Sequence, residues 1–116
     1  MGMQARILRV MGVLSVLSVL SLPPALLAAP SEQAALLELA DASRCLICHD
    51  VNETIRGPAW RDVAKRYRGM PDMEDKLVKK VYEGGGGAWG DDTMSANKRA
   101  GLENIRMLVR WILALP

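Results

Sequence analysis

Phenylalanine is absent from this 116-residue chain, histidine occurs once, cysteine twice, and aromatic side chains make up only 4% of the whole. Each shortage excludes something. A short chain without Phe has little with which to fill a domain centre, so a large apolar group from outside the chain is expected there. A structural zinc site needs a fourth Cys or His ligand, and Cys45, Cys48 and His49 are all that the sequence offers. A thiol redox site of the thioredoxin kind belongs among strands and crossover helices, and no strand pattern is present. No spare base or nucleophile accompanies these three residues, so catalysis by the chain alone is not expected. Internal repeats and signs of a second domain are also lacking.

An excess of charge is missing too, once the N-terminal segment is set aside. Arg6 and Arg9 form a basic start, Val10 to Leu22 an apolar run, and Pro23-Pro24 leads into small residues ending at Ala28-Ala29. This order is that of a secretory signal, so residues 1–29 are expected to be a cleavable signal peptide and 30–116 the mature domain, exported to the periplasm. Three serines interrupt the apolar run and two prolines end it, which makes it short for a membrane span, so an uncleaved anchor is the poorer reading and no stable membrane insertion is expected after cleavage. Removing Arg6 and Arg9 takes the basic count from 15 to 13, equal to the 13 acids beyond Ala29. A general affinity for nucleic acid therefore has no support.

What the sequence does contain is Cys45-Leu46-Ile47-Cys48-His49, which uses both cysteines and the only histidine. C-x-x-C-H is the spacing at which c-type haem is attached covalently: two thiols one turn apart add to the haem vinyl groups, and the next residue then sits beneath the iron. Such attachment occurs outside the cytoplasm, in agreement with export. One covalent haem is expected, as is an apoprotein that folds poorly without it.

The rest of 30–116 reads as helices joined by short loops. Ser31 to Ser43 has apolar Leu36, Leu37, Leu39 and Ala40 with Ser31 as N-cap, and a second helix runs from Trp60 to Tyr67. A third spans Asp72 to Glu83, with acids in its first turn, and a fourth Ala100 to Leu115, with Ile105, Leu108, Val109, Ile112 and Leu113 on one side. Asp50 to Trp60 reads as a loop, and Gly84 to Gly87 as a flexible connector rather than an anion cradle. The basic cluster Arg61, Lys65, Arg66 and Arg68 reads as a solvated helix face, with a docking patch for an acidic partner as the alternative.

Haem iron has two axial positions. Neutral His49 takes one, and without a second imidazole the other falls to a thioether, which raises the reduction potential. Met70, Met73, Met94 and Met107 are the candidates in 30–116. Met73 and Met107 sit on helices where packing is the natural role. Met70, in a Gly-Met-Pro turn, is sterically possible, and Met94, in an irregular segment far along the chain from His49, is better placed.

Further along, Gly57-Pro58-Ala59-Trp60 precedes an amphipathic helix, Trp89-Gly90 is followed by Met94 and Asn97, and Leu108-Val109-Arg110-Trp111-Ile112 closes the chain. This ordered set, with the haem motif, resembles the short class I cytochromes c of the bacterial periplasm, of the c-551 type, over nearly all of 30–116. The resemblance implies an all-α class I cytochrome c fold, four to five helices wrapped around one covalent haem. It further implies Cys45 and Cys48 as the haem attachment points and His49 and Met94 as axial ligands. By the same resemblance the Pro58 carbonyl would accept from His49, Trp89 and Lys80 would lie near a haem propionate, and Asn97 would hold the Met94 loop, bonding its sulfur or capping the next helix. The implied function is that of a monomeric one-electron carrier working with a quinol-oxidising complex, a terminal oxidase, a nitrite reductase or a small copper protein. Ser95-Ala96 stand where the family has prolines after the Met, which implies a softer ligation. Two alternatives follow: a haem-based sensor with a labile Met ligand, or the cytochrome subunit of a larger respiratory complex.

Overall fold

Ser31 Oγ accepts from the Ala34 amide at 3.2 Å, and this N-cap starts the first of four α-helices in the computed structural model, which describes residues 30–116 together with Gly2. The signal peptide expected over 1–29 lies outside the described residues. Helices α1 (Glu32–Ala42), α2 (Trp60–Tyr67), α3 (Met73–Glu83) and α4 (Leu102–Ala114) are joined by loops and two short 3-10 turns, Cys45–Ile47 and Lys98–Ala100. No strand occurs among the described residues; the only extended pairing there is an isolated antiparallel bridge between Gly85 and Met94. The protein is all-α.

Helix α4 is the central element and touches each of the others. Its period of three and four residues brings Ile105, Leu108, Val109 and Ile112 to one buried face. Leu108, Ile112 and Leu115 pack with Ala40 of α1 and with Trp60, Val63 and Ala64 of α2, whereas Ile105 and Val109 pack with Val78 of α3 and Ala100. Each fully buried aliphatic side chain here contributes on the order of 1.5–3 kcal/mol. The two clusters share α4 and diverge from it, and a cavity opens between them.

Polar contacts fix the ends of this arrangement. Arg106 Nη1 donates to Glu74 Oε1 and Asp75 Oδ1, both at 2.7 Å, and Arg110 Nε donates to Glu74 at 2.9 Å, tying α4 to the first turn of α3. Arg68, just past the end of α2, donates to the Leu113 carbonyl at 3.2 Å and also to the Leu115 carbonyl, while Arg61 of α2 donates to the Pro116 carbonyl at 3.0 Å. The Leu113 and Leu115 carbonyls are ones that the end of a helix leaves without an internal partner, and Pro116 follows directly. The basic cluster around α2 is exposed, as a solvated face would be, but three of its four side chains also make contacts within the fold. Arg61 and Arg68 cap α4, Arg66 reaches the carbonyl of Ala88 at 2.6 Å, and among these four only Lys65 makes no polar side-chain contact with the described residues. Helical periodicity identifies the exposed positions of α2 but not the loop and helix end that come to lie against them.

Candidate haem site

The cavity has a volume of about 830 Å³ and is lined mainly by apolar side chains, with Val63 of α2, Leu77 and Val81 of α3, and Ile105, Leu108, Val109 and Ile112 of α4 on its walls. Cys45, Cys48, His49, Pro58, Lys80, Trp89, Met94 and Asn97 all line it. They come from segments more than fifty residues apart in sequence.

One wall is built around His49. After α1, Arg44 turns the chain with a left-handed backbone (φ 61°), and the 3-10 turn that follows sets Cys45 and Cys48 half-buried and unlinked. Burial pushes the Cys45 thiol up from its ordinary pKa, which keeps it a thiol and makes it a poor thiolate nucleophile or zinc ligand. His49 Nδ1 lies 2.8 Å from the Pro58 carbonyl. A carbonyl can only accept, so the proton sits on Nδ1 and the Nε2 lone pair is the ring's remaining donor to a metal. The imidazole stacks on Trp60 (centroids 5.9 Å apart, planes at 23°), and Trp60 in turn meets Trp111 edge-on at 5.5 Å. Gly57 passes so close beneath the ring that a Cβ there would stand 2.4 Å from His49 Cε1. Sequence reading takes Gly57 for a turn residue and misses this platform; its only outward sign is a glycine directly before Pro58.

The facing wall is a loop. Gly84 ends α3 with φ 78°, and Gly85 and Met94 exchange two backbone hydrogen bonds, 2.9 and 3.0 Å long. A Cβ on Gly84 would lie 2.7 Å from both Met94 O and Ala96 N, so the glycine run permits the two segments to approach and is not a loose connector. Of the four methionines among the described residues, Met94 alone lines the cavity. Met70 is 51% exposed, and Met107, for which packing was the natural role, is 47% exposed on the outer side of α4. Trp89 lies at the cavity rim against Tyr67, and Lys80 Nζ donates to the Gly86 carbonyl at 3.2 Å.

Asn97 departs from both expected side-chain roles. Its amide neither caps the following turn nor reaches Met94; Nδ2 donates to the Ser43 carbonyl at 2.9 Å, where the end of α1 leaves an acceptor inside the fold. Its backbone N–H donates to Val81 O at 2.9 Å. Asn97 thus pins the end of the Met94 loop to α1 and α3 together.

These residues suit a haem. Protein interiors hold few voids larger than a water molecule, and an apolar cavity of this size in a domain without Phe has the dimensions of a large flat apolar group. Two thiols, an imidazole whose Nδ1 faces the Pro58 carbonyl and leaves Nε2 outside that bond, and the Met94 thioether line the same cavity. No group of three or more His, Cys, Asp or Glu residues suited to a bare metal ion exists among the described residues.

Fold and site together define a class: a small all-α domain built around one haem held through a single C-x-x-C-H segment. No family model matches the chain. Individual relatives are clear. The chain is 46% identical over 91 residues to cytochrome c-551 of Allochromatium vinosum, covering 78% of this chain and 96% of that protein. It is 38% identical over 78 residues to cytochrome c-552 of Hydrogenobacter thermophilus, 67% of this chain and 79% of that one. The crystal structure of Nitrosomonas europaea cytochrome c552 superposes with a TM-score of 0.66 at 32% identity, over 69% of this chain and 99% of that chain. The chain belongs to the short class I c-type cytochromes, which carry one covalent haem and transfer electrons rather than catalyse reactions. It is a haem-based electron carrier.

Proposed function

We propose that this cytochrome is a periplasmic one-electron carrier whose haem is joined to Cys45 and Cys48 and whose iron is held between His49 and Met94. The observation that carries this reading is the meeting, across one apolar cavity, of the chain's only imidazole with one methionine out of the four in 30–116. When bound, haem supplies a one-electron iron couple. The protein's residues hold and tune it. Cys45 and Cys48 tether the group to the His49 wall, and Pro58 fixes the imidazole's orientation while increasing its donor strength. The aliphatic walls from α3 and α4 exclude water and, with the Met94 thioether, favour a higher potential. Lys80 and Trp89, on the rim, are the groups that would receive propionates. The two backbone bonds between Gly85 and Met94 hold the loop in place of the family's prolines, which supports firm ligation over a labile sensor.

Export as a periplasmic protein rests on the signal sequence of 1–29, and no helix among the described residues is long and apolar enough to cross a membrane. Arg44, Arg56, Lys98 and Arg99 are exposed around the cavity, with Asp92 the one acid on its lining, although the 30–116 segment as a whole is neutral. Ile47, on the same lining, is 59% exposed. An apolar contact ringed by cations fits brief docking to an acidic face of a redox protein, the charges serving encounter rate more than affinity. The partner classes are the quinol-oxidising complexes, oxidases, nitrite reductases and small copper proteins implied by the family.

The test is the ferric optical spectrum of protein exported through a c-type maturation pathway. A weak far-red sulfur-to-iron band is expected, and Met94→Ala should abolish it, lower the potential and admit carbon monoxide to the reduced protein. A band that persists in Met94→Ala would remove Met94 from the iron, and a wild-type centre that is high-spin would favour the sensor.

A further inference from the structure

The loop that carries Met94 has a second point of attachment. Its base is the Gly85–Met94 bridge, and its far end is Trp89, a residue 39% exposed that covers one side of the cavity rim. Arg66 of α2 meets that end in two ways. Its guanidinium lies over the Trp89 ring at 4.6 Å and over the Tyr67 ring at 5.2 Å, and Nη1 donates to the Ala88 carbonyl at 2.6 Å. Tyr67 and Trp89 are themselves edge-on, with centroids 6.0 Å apart. A planar cation near two aromatic faces that also donates a hydrogen bond to a main-chain carbonyl is held in orientation as well as attracted.

The placement spans the cavity. Helix α2 belongs to the His49 wall, because its first residue Trp60 stacks on the imidazole, whereas Trp89 belongs to the loop that holds Met94. Between α3 and the bridge the chain is glycine, and Gly86 and Gly87 offer no side chain of their own with which to anchor the loop, so that of these two only the Gly86 carbonyl is held, by Lys80 of α3. We propose that Arg66 is a positioning residue: it latches Trp89 to α2 and so keeps the Met94 loop closed over the cavity. The consequence for the iron rests on the reading of Met94 as its sulfur ligand; the latch itself does not.

The experiment uses the holoprotein with Arg66→Met, which keeps the aliphatic stem and removes the charge, and Arg66→Lys, which keeps the charge. Amide hydrogen exchange at Gly85 and Met94, each hydrogen-bonded to the other, reports loop opening; Ile105 and Val109 report the core. Arg66→Met should speed exchange at Gly85 and Met94 by about fivefold with the core amides unchanged, and Arg66→Lys should recover part of the protection. Imidazole, titrated as a competing iron ligand, should bind Arg66→Met about fivefold more tightly, matching the loop's opening. Unchanged exchange at Gly85 and Met94, or an equal rise at all four amides, would overturn the latch. Faster loop exchange without tighter imidazole binding would uphold the latch and remove Met94 from the iron.

Discussion

On the His49 side of the cavity a side chain is held from three directions, by the Pro58 carbonyl, the Trp60 ring and the Gly57 backbone, all within eleven residues of it. On the Met94 side the loop is held by backbone pairing to Gly85, by Asn97 reaching Ser43, and by Trp89 beneath Arg66, contacts that span 9 to 54 residues. The first wall is local and rigid. The second depends on the whole fold, and loop openings are drawn from segments with few buried apolar contacts. Under the proposed ligation an electron carrier gains from this difference: the imidazole wall stays with the tethered edge, and variation in ligand strength falls to the thioether.

The comparison breaks most completely at the tether. Cys45→Ala should leave at most one thioether, and mass spectrometry of the denatured holoprotein showing two intact linkages would defeat the covalent assignment. Gly84→Ala attacks the second wall, since the new Cβ meets main-chain atoms of Met94 and Ala96 at a left-handed position. A loss of about 2–4 kcal/mol is expected in urea unfolding, with a weakened far-red band. Gly57→Ala attacks the first wall through a side chain that can shift, so the expected loss is about 1–3 kcal/mol, with His49 displaced from Pro58. A Gly57→Ala protein as stable as wild type would mean that the imidazole is less firmly fixed than its surroundings suggest.

The smallest effect lies outside both walls. Arg106, followed by Arg110, holds the Glu74 carboxyl below its ordinary pKa. A carboxylate whose pKa is lowered by folding contributes stability above its unfolded value of about 4.3 and loses it as pH falls through the folded value. Glu74→Gln should therefore unfold slightly earlier than wild type at neutral pH and no earlier in strong acid, measured as thermal midpoints across pH; a gap independent of pH would mean that charge is not its origin.

Legibility followed sequence distance. The cysteine pair, its histidine and the four helices are visible because their patterns repeat within a turn or two, and the observed bounds of α2 match the reading at both ends. Met94 stands out among four methionines by its irregular surroundings, its distance along the chain from His49 and its place after Trp89-Gly90. The close approaches at Gly57 and Gly84, and the partners of Asn97 and Arg66, are not legible in the sequence, because a glycine's purpose lies in what passes close to it and a polar side chain's partner is whatever the tertiary fold brings near. Arg61, Arg66 and Arg68 are all exposed basic residues on or just after α2, yet two reach the end of α4 and one a loop.

The acceptors chosen by Arg61 and Arg68 are all main-chain carbonyls, at Leu113, Leu115 and Pro116. Main-chain oxygens persist whatever side chain stands at those positions. The arginine part of the last helix's anchor is therefore indifferent to the side chains that stand there, whereas the burial of Leu115 against Ala40 and Trp60 still ties that end to an apolar residue.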